Sequence, residues 1–190
     1  DAVLEVVKSF KPDVIFHCAA YTQVDAAEEN EEVCRKVNAL GTKNMVEAAK
    51  KVDAKIVYIS TDYVFDGTKD GVYEVTDTPN PLGVDGVYEV DDKKNPINYY
   101  GETKYLGEEE IKKCNNYLIA RISWVFGING KNFVKTMLKL SETRDELNVV
   151  ADQVGSPTYT VDLAKLLVHM VNTDKYGIYH ATNQGYCSWY

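Results

Sequence analysis

Val14-Ile15-Phe16-His17-Cys18-Ala19-Ala20 is a short, mainly apolar run with no alternation of polar and apolar side chains. A strand with one wet face alternates; a parallel strand covered on both faces does not. The stretch therefore reads as a buried parallel strand, and its neighbours agree. Upstream, residues 2–10 set Val3, Val6, Val7 and Phe10 on one helical face, and Pro12 ends that run. Downstream, helix is expected from about Asp25 to Lys51, broken or bent near Asn30 and again near Gly41. Its later half carries Val37, Leu40, Met45, Val46 and Ala49 at helical spacing. Next comes Lys55-Ile56-Val57-Tyr58-Ile59, ending in Ser60-Thr61-Asp62, as a second strand.

The pattern continues beyond a loop-rich stretch, 66–97. Helix is expected from near Tyr99 to about Lys113, a third strand over Tyr117–Val125, a helix over Phe133–Leu140 and a fourth strand over Leu147–Val150. A helix capped by Thr160 follows, from Val161 to about Val171, and then a short last strand, Ile178–Ala181. Strand and helix alternating at crossover lengths predict an α/β chain. The fold class is Rossmann-like and doubly wound: a mostly parallel sheet with helices on both faces. Ligands of such sheets bind outside the carboxyl ends of the strands. Those ends are Cys18–Tyr21, Ser60–Asp62 and Ser123–Gly127.

No Gly-x-Gly-x-x-Gly turn occurs in the sequence, and the chain opens in a helix. The expectation is a fragment that lacks the N-terminal strands and the glycine turn, which makes Val14–Cys18 an apolar sheet edge. Within the loop-rich stretch, Asp-Gly-Val-Tyr-Glu-Val at 70–75 recurs at 85–90, and Asn80-Pro81 recurs as Asn95-Pro96. This reads as a local tandem duplication in a surface loop, where added length costs little free energy.

The chain has 190 residues and a net charge of −8. That charge argues against nucleic acid and anionic membrane as partners, since both select basic faces. There is no span-length apolar run and no leader pattern. Cys18, Cys34, Cys114 and Cys187 are scattered, as reduced thiols of a cytoplasmic protein would be, with Cys18 and Cys114 expected to pack as small hydrophobes. His17, His169 and His180 are equally scattered, and no metal site is expected.

Of the fourteen tyrosines, Tyr100 alone is followed four residues later by a lysine, Lys104. The two share a helical face. A nearby ammonium favours tyrosinate and makes the phenol a better proton shuttle; Thr61 offers a second hydrogen bond to a ketone oxygen. A packed Tyr with a solvated Lys is the bland reading of that spacing. Small residues at Cys18-Ala19-Ala20-Tyr21 let a flat ring approach, or simply pack closely. Asn38 and Gly41 are poor helix formers in mid-helix. Either they permit close helix–sheet contact or Asn38 bonds to backbone near the site. Trp124 offers an aromatic face to a sugar or nicotinamide, or fills a core. The polar loop Asp152–Thr158 reaches a substrate, or only turns into the next helix.

Together the motifs resemble those of the extended short-chain dehydrogenase/reductases and, among them, the dTDP-4-dehydrorhamnose reductase family. The resemblance rests on Cys-Ala-Ala-Tyr-Thr-x-Val-Asp (18–25), Val-Asn-Ala-x-Gly-Thr (37–42), Ser-Thr-Asp-Tyr-Val-Phe-Asp-Gly (60–67), Tyr-Gly-x-x-Lys (100–104), Arg-x-Ser-Trp-Val-Phe-Gly (121–127) and Asp-Gln-x-Gly-x-Pro-Thr (152–158). It implies NADPH, or NADH, reducing the C4 ketone of a dTDP-linked deoxysugar substrate. Thr61, Tyr100 and Lys104 are then catalytic. Cys18, Ala19, Ala20, Tyr21, Asn38 and Ser60, with Tyr100 and Lys104, are placed at the cofactor, and Thr61, Asp62, Tyr63 and Trp124 at the sugar. Residues 1–127 are expected to form a truncated dinucleotide-binding part and 128–190 an incomplete substrate-binding part. The family includes dimers, so a homodimer stands among the expected partners. Asp85 and Glu89 fall where the first repeat copy would need Tyr and Lys, so only the second copy can work. A dehydratase would carry Thr-Asp-Glu where Tyr63 stands. An epimerase, or a non-catalytic nucleotide-binding regulatory subunit of the same fold, is the alternative.

Overall fold

The computed structural model describes residues 2–66 and 97–190; the internal repeat, with Asp85 and Glu89, lies outside the described residues. The elements in order are α1 (Ala2–Phe10), β1 (Val14–His17), α2 (Val24–Glu29), α3 (Glu31–Arg35), α4 (Gly41–Val52), β2 (Lys55–Thr61), α5 (Tyr99–Ile111), β3 (Tyr117–Ile122), β4 (Val125–Phe126), α6 (Phe133–Ser141), β5 (Val154–Gly155), β6 (Thr158–Tyr159), α7 (Thr160–Val171), β7 (Gly177–His180) and β8 (Cys187–Ser188). They form two compact units: Asp1–Arg121 with Lys175–His180, and Ile122–Asp174 with Ala181–Tyr190.

The first unit holds a four-stranded sheet in the order β1-β2-β3-β7. β1 pairs parallel with β2, Val14 opposite Lys55, and β3 pairs parallel with β7, Arg121 opposite His180. β1 is the edge of this sheet, and its Phe16 is 42% exposed. The core between sheet and helices is built from Val7, Ile15, Val46, Ala48, Ala49, Ile56, Tyr58, Ile111 and Ile119. In α1 the expected face is rotated: Val7 is buried with Val3 and Leu4 against it, whereas Val6 and Phe10 are exposed. The helix turns its i, i+3, i+4 row at 3, 4 and 7 to the core, and nothing described covers the other side.

The long helical stretch breaks at Asn30 between α2 and α3, and Lys36–Leu40 forms a π-helical turn immediately before Gly41. The expected interruptions thus fall at both places. The third strand is shorter than expected. β3 stops at Ile122, and Trp124, at φ 45°, separates it from β4 in the second unit. Leu147–Val150 is not a strand: Val150 is exposed, and among the described residues no strand lies alongside to complete a ladder. Thr160 is not a cap either. It is the first residue of α7, Tyr159 precedes it without a side-chain capping bond, and its side chain lies where a Cβ on Gly127 would fall. All four cysteines are free. Cys114 is buried as expected, but Cys18 is exposed, because β1 ends one residue before it.

Candidate active site

The site is assembled where β2 ends and α5 begins. Asn98 caps α5 by accepting from the Gly101 N–H. A Cβ on Gly101 would collide with the Tyr63 carbonyl oxygen, so glycine here lets the Asp62–Val64 turn lie directly on the helix. This sets the Thr61 hydroxyl beside the Tyr100 phenol. Tyr100 is 8% exposed, and the half-open Tyr63 ring meets it edge-on at 5.8 Å. The Thr61 hydroxyl donates to Asp62 Oδ1 at 3.0 Å and accepts from the Tyr63 N–H at 3.2 Å. One turn along α5, Lys104 is 2% exposed; its Nζ donates to the Ile59 carbonyl at 2.8 Å and lies 4.0 Å from the Tyr58 ring centroid.

Burial dominates the electrostatics. It pushes the Tyr100 phenol up to about 12, with the neighbouring Thr61 hydroxyl opposing. The lowering expected from a neighbouring ammonium is absent. Burial brings Lys104 itself down to about 7, against the pull of Glu108, and its Nζ is turned to the Ile59 carbonyl and the Tyr58 ring. Burial likewise raises Asp62 to about 6, with the Thr61 hydrogen bond opposing.

At the end of β1, Cys18 and Ala19 are exposed and Ala20 and Tyr21 half-buried, leaving a small-residue rim. Asn38 fixes this rim from behind. Its Oδ1 accepts from the Tyr21 N–H at 2.7 Å, and its Nδ2 donates to the Tyr21 carbonyl at 3.1 Å and to Thr103 Oγ1 at 2.9 Å. Of the two readings left open for Asn38, backbone bonding is the one observed. Asn38 lies in the π turn, and its carbonyl accepts from the Thr42 hydroxyl at 2.6 Å. That hydroxyl can then only accept from His17 Nε2, 2.9 Å away, and burial holds His17 neutral with its value down to about 4. Ser60 points inward, its hydroxyl donating to Glu108 Oε1, so it can offer a ligand only backbone.

Trp124 belongs to the second unit. Its ring stacks on Trp189 at 3.5 Å between centroids and lies where a Cβ on Gly155 would sit; Ser123 Oγ donates to the Ser156 carbonyl beside it. The Asp152–Thr158 loop is thus, within this unit, the support of Trp124. Sequence reasoning missed Glu108 and Arg121, which form a buried salt bridge at 2.8 Å, and His17. The signal for Glu108 was present: a carboxylate one turn beyond Lys104, on a face that must be buried.

A parallel sheet with hydroxyl and small residues at its strand ends, and a Tyr–Lys pair on the following helix, defines an α/β protein of the short-chain dehydrogenase/reductase kind. The chain belongs to the RmlD substrate binding domain family, whose model matches residues 1–87 and 84–190, the two matches joining within the duplicated stretch. It is 43% identical to a dTDP-4-dehydrorhamnose reductase of Aggregatibacter actinomycetemcomitans, over all of this chain and 62% of that protein. It is 41% identical to the spore coat polysaccharide biosynthesis protein SpsK of Bacillus subtilis, over 95% of this chain and 59% of that one. Among solved structures, the dTDP-4-dehydrorhamnose reductase of Bacillus anthracis in complex with NADP matches with a TM-score of 0.87 and 45% identity, over 98% of this chain and 62% of that one. The chain thus spans about six tenths of the length of these relatives.

Proposed function

We propose that the protein is an NAD(P)H-dependent oxidoreductase that reduces the C4 ketone of dTDP-4-dehydro-L-rhamnose to dTDP-L-rhamnose. The observation that carries this reading is the buried Tyr100 phenol with the Thr61 hydroxyl beside it and Lys104 one turn away on the same helix. Relatives named for that activity and a matching structure in complex with NADP support it.

The residues present fit the nicotinamide end of such a cofactor. The exposed Cys18-Ala19 rim admits a flat ring beside Ala20 and Tyr21, which Asn38 fixes from behind. Lys104 has two N–H donors beyond the one given to Ile59, suited to a ribose diol. Bound NADPH supplies hydride to the carbonyl carbon. Tyr100 protonates the ketone oxygen, its high value suiting it to give a proton only as negative charge develops there. Thr61 supports that oxygen by releasing Asp62 and turning its hydrogen outward, so Asp62 and the ketone compete for one hydroxyl. Asp62 and Tyr63 are assigned to the sugar. A cytoplasmic location and a homodimer go with this reading.

The test follows NADPH oxidation with dTDP-4-dehydrorhamnose by the full-length protein and its Tyr100→Phe variant. Turnover that falls by about a hundredfold or more in the variant supports the reading. No turnover by the unsubstituted protein overturns it in favour of a non-catalytic nucleotide-binding subunit.

A further inference from the structure

Glu108 takes no part in the chemistry above, yet it is fully buried at 0% exposure. It lies one turn beyond Lys104 on α5 and joins three elements. Its Oε1 accepts from Ser60 Oγ at 2.6 Å and from Arg121 Nε at 3.0 Å, and its Oε2 accepts from Arg121 Nη2 at 2.8 Å. Ser60 is the residue before Thr61 at the end of β2; Arg121 is on β3, its guanidinium also 5.1 Å from the Phe65 ring. Stability alone does not call for this arrangement, because replacing a buried ion pair with apolar groups of similar volume is often neutral or better. What an apolar pair could not do is hold the Ser60 hydroxyl and place a negative charge beside an ammonium.

We propose that Glu108 is a positioning residue for the reduction: it clamps the strand end that presents Thr61 to the helix that presents Tyr100 and Lys104, and faces the Lys104 ammonium with its charge. This rests on the reading of Thr61, Tyr100 and Lys104 given above. The groups around Lys104 are His17 and Cys18 at the end of β1, Cys34 on α3, Tyr58 on β2, and Tyr100 and Glu108 on α5. His17 is neutral, and burial pushes both thiols and both phenols up. Glu108 is therefore the carboxylate among them, and the first-ranking influence that opposes the loss of the Lys104 proton.

The experiment compares the full-length protein with Glu108→Gln, Glu108→Asp and the double variant Glu108→Gln/Arg121→Met. Two quantities are read: the pH profile of kcat/KM for NADPH-dependent reduction, and the titration of the Lys104 side-chain nitrogen by NMR, assigned against Lys104→Met. In Glu108→Gln the Lys104 titration and the alkaline limb of the profile move to lower pH, and kcat falls by about tenfold or more. The double variant, which leaves no unpaired guanidinium, regains thermal stability but keeps both shifts. Glu108→Asp keeps the Lys104 titration near that of the unsubstituted protein and loses kcat through the Ser60 contact. A double variant that recovers the original profile, or a Lys104 titration that does not move in any folded Gln variant, overturns the proposal. Should neither Gln variant fold, unchanged kcat in Glu108→Asp overturns it. Should the unsubstituted protein show no reduction, the reductase reading fails by itself and the Lys104 titration alone decides on Glu108.

Discussion

At the residue scale, the buried titratable groups give the protein a pH signature with a definite sign. Lys104 sits at about 7 in the fold against an ordinary 10.5, so between those values the unfolded chain holds a proton that the folded chain has released. Stability therefore rises with pH through that window. Lys104→Met should flatten the rise, by on the order of a few kcal/mol across the window, in chemical unfolding at a series of pH values. On the acid side two groups oppose each other. Asp62, raised to about 6 from 3.8, makes stability fall as pH increases between those values. His17, lowered to about 4 from 6.5, makes it rise over nearly the same range. Asp62→Asn should uncover the His17 slope, so that the variant gains stability steadily from about pH 4 to 6.5 where the unsubstituted protein stays level. A level profile in the variant would count against the burial of His17.

At the element scale, the approach of the Asp62–Val64 turn to α5 depends on a missing side chain. Gly101→Ala should cost about 1–3 kcal/mol in thermal unfolding and separate Thr61 from Tyr100, with turnover falling further than stability suggests. Asn38→Ala removes the three bonds described above and leaves the Tyr21 backbone groups without them. It should cost about 1–3 kcal/mol and weaken NADPH binding more than it alters kcat, as calorimetry and steady-state kinetics would show. These elements were legible to different degrees. The Tyr100–Lys104 spacing and the run of Lys55–Asp62 were readable because strand and helix periods are local. Asn38 signalled itself by poor helix propensity, and the π turn lies there. By contrast, the end of β3 at Ile122 depends on the left-handed backbone of Trp124, which no periodicity announces. Leu147–Val150 had strand composition without a neighbour to pair with among the described residues. The lysine–tyrosine electrostatics also went unread, because spacing tells nothing about how deeply an ammonium is buried.

At the scale of the whole molecule, the parallel sheet was legible because Val14–Ala20 shows no alternation, and β1 lies at the sheet edge as the sequence suggested. The composition of two discontinuous units was not, since it depends on which distant strand completes the sheet. An edge carrying an exposed Phe16 is an invitation to pairing between chains. Phe16→Lys should reduce self-association of this 190-residue chain in sedimentation while changing its melting temperature by no more than about 2 °C.

The return of β7 to the first unit has a consequence for biosynthesis. β3 acquires its outer neighbour only from Gly177–His180, more than fifty residues later in the chain. During translation the nascent sheet must wait, with the flank of Ile119 and Arg121 open, until the intervening unit has left the ribosome. Release of chains ending before Lys175 should therefore yield protease-sensitive products that recruit chaperones, and protection should appear abruptly once the tunnel has cleared His180.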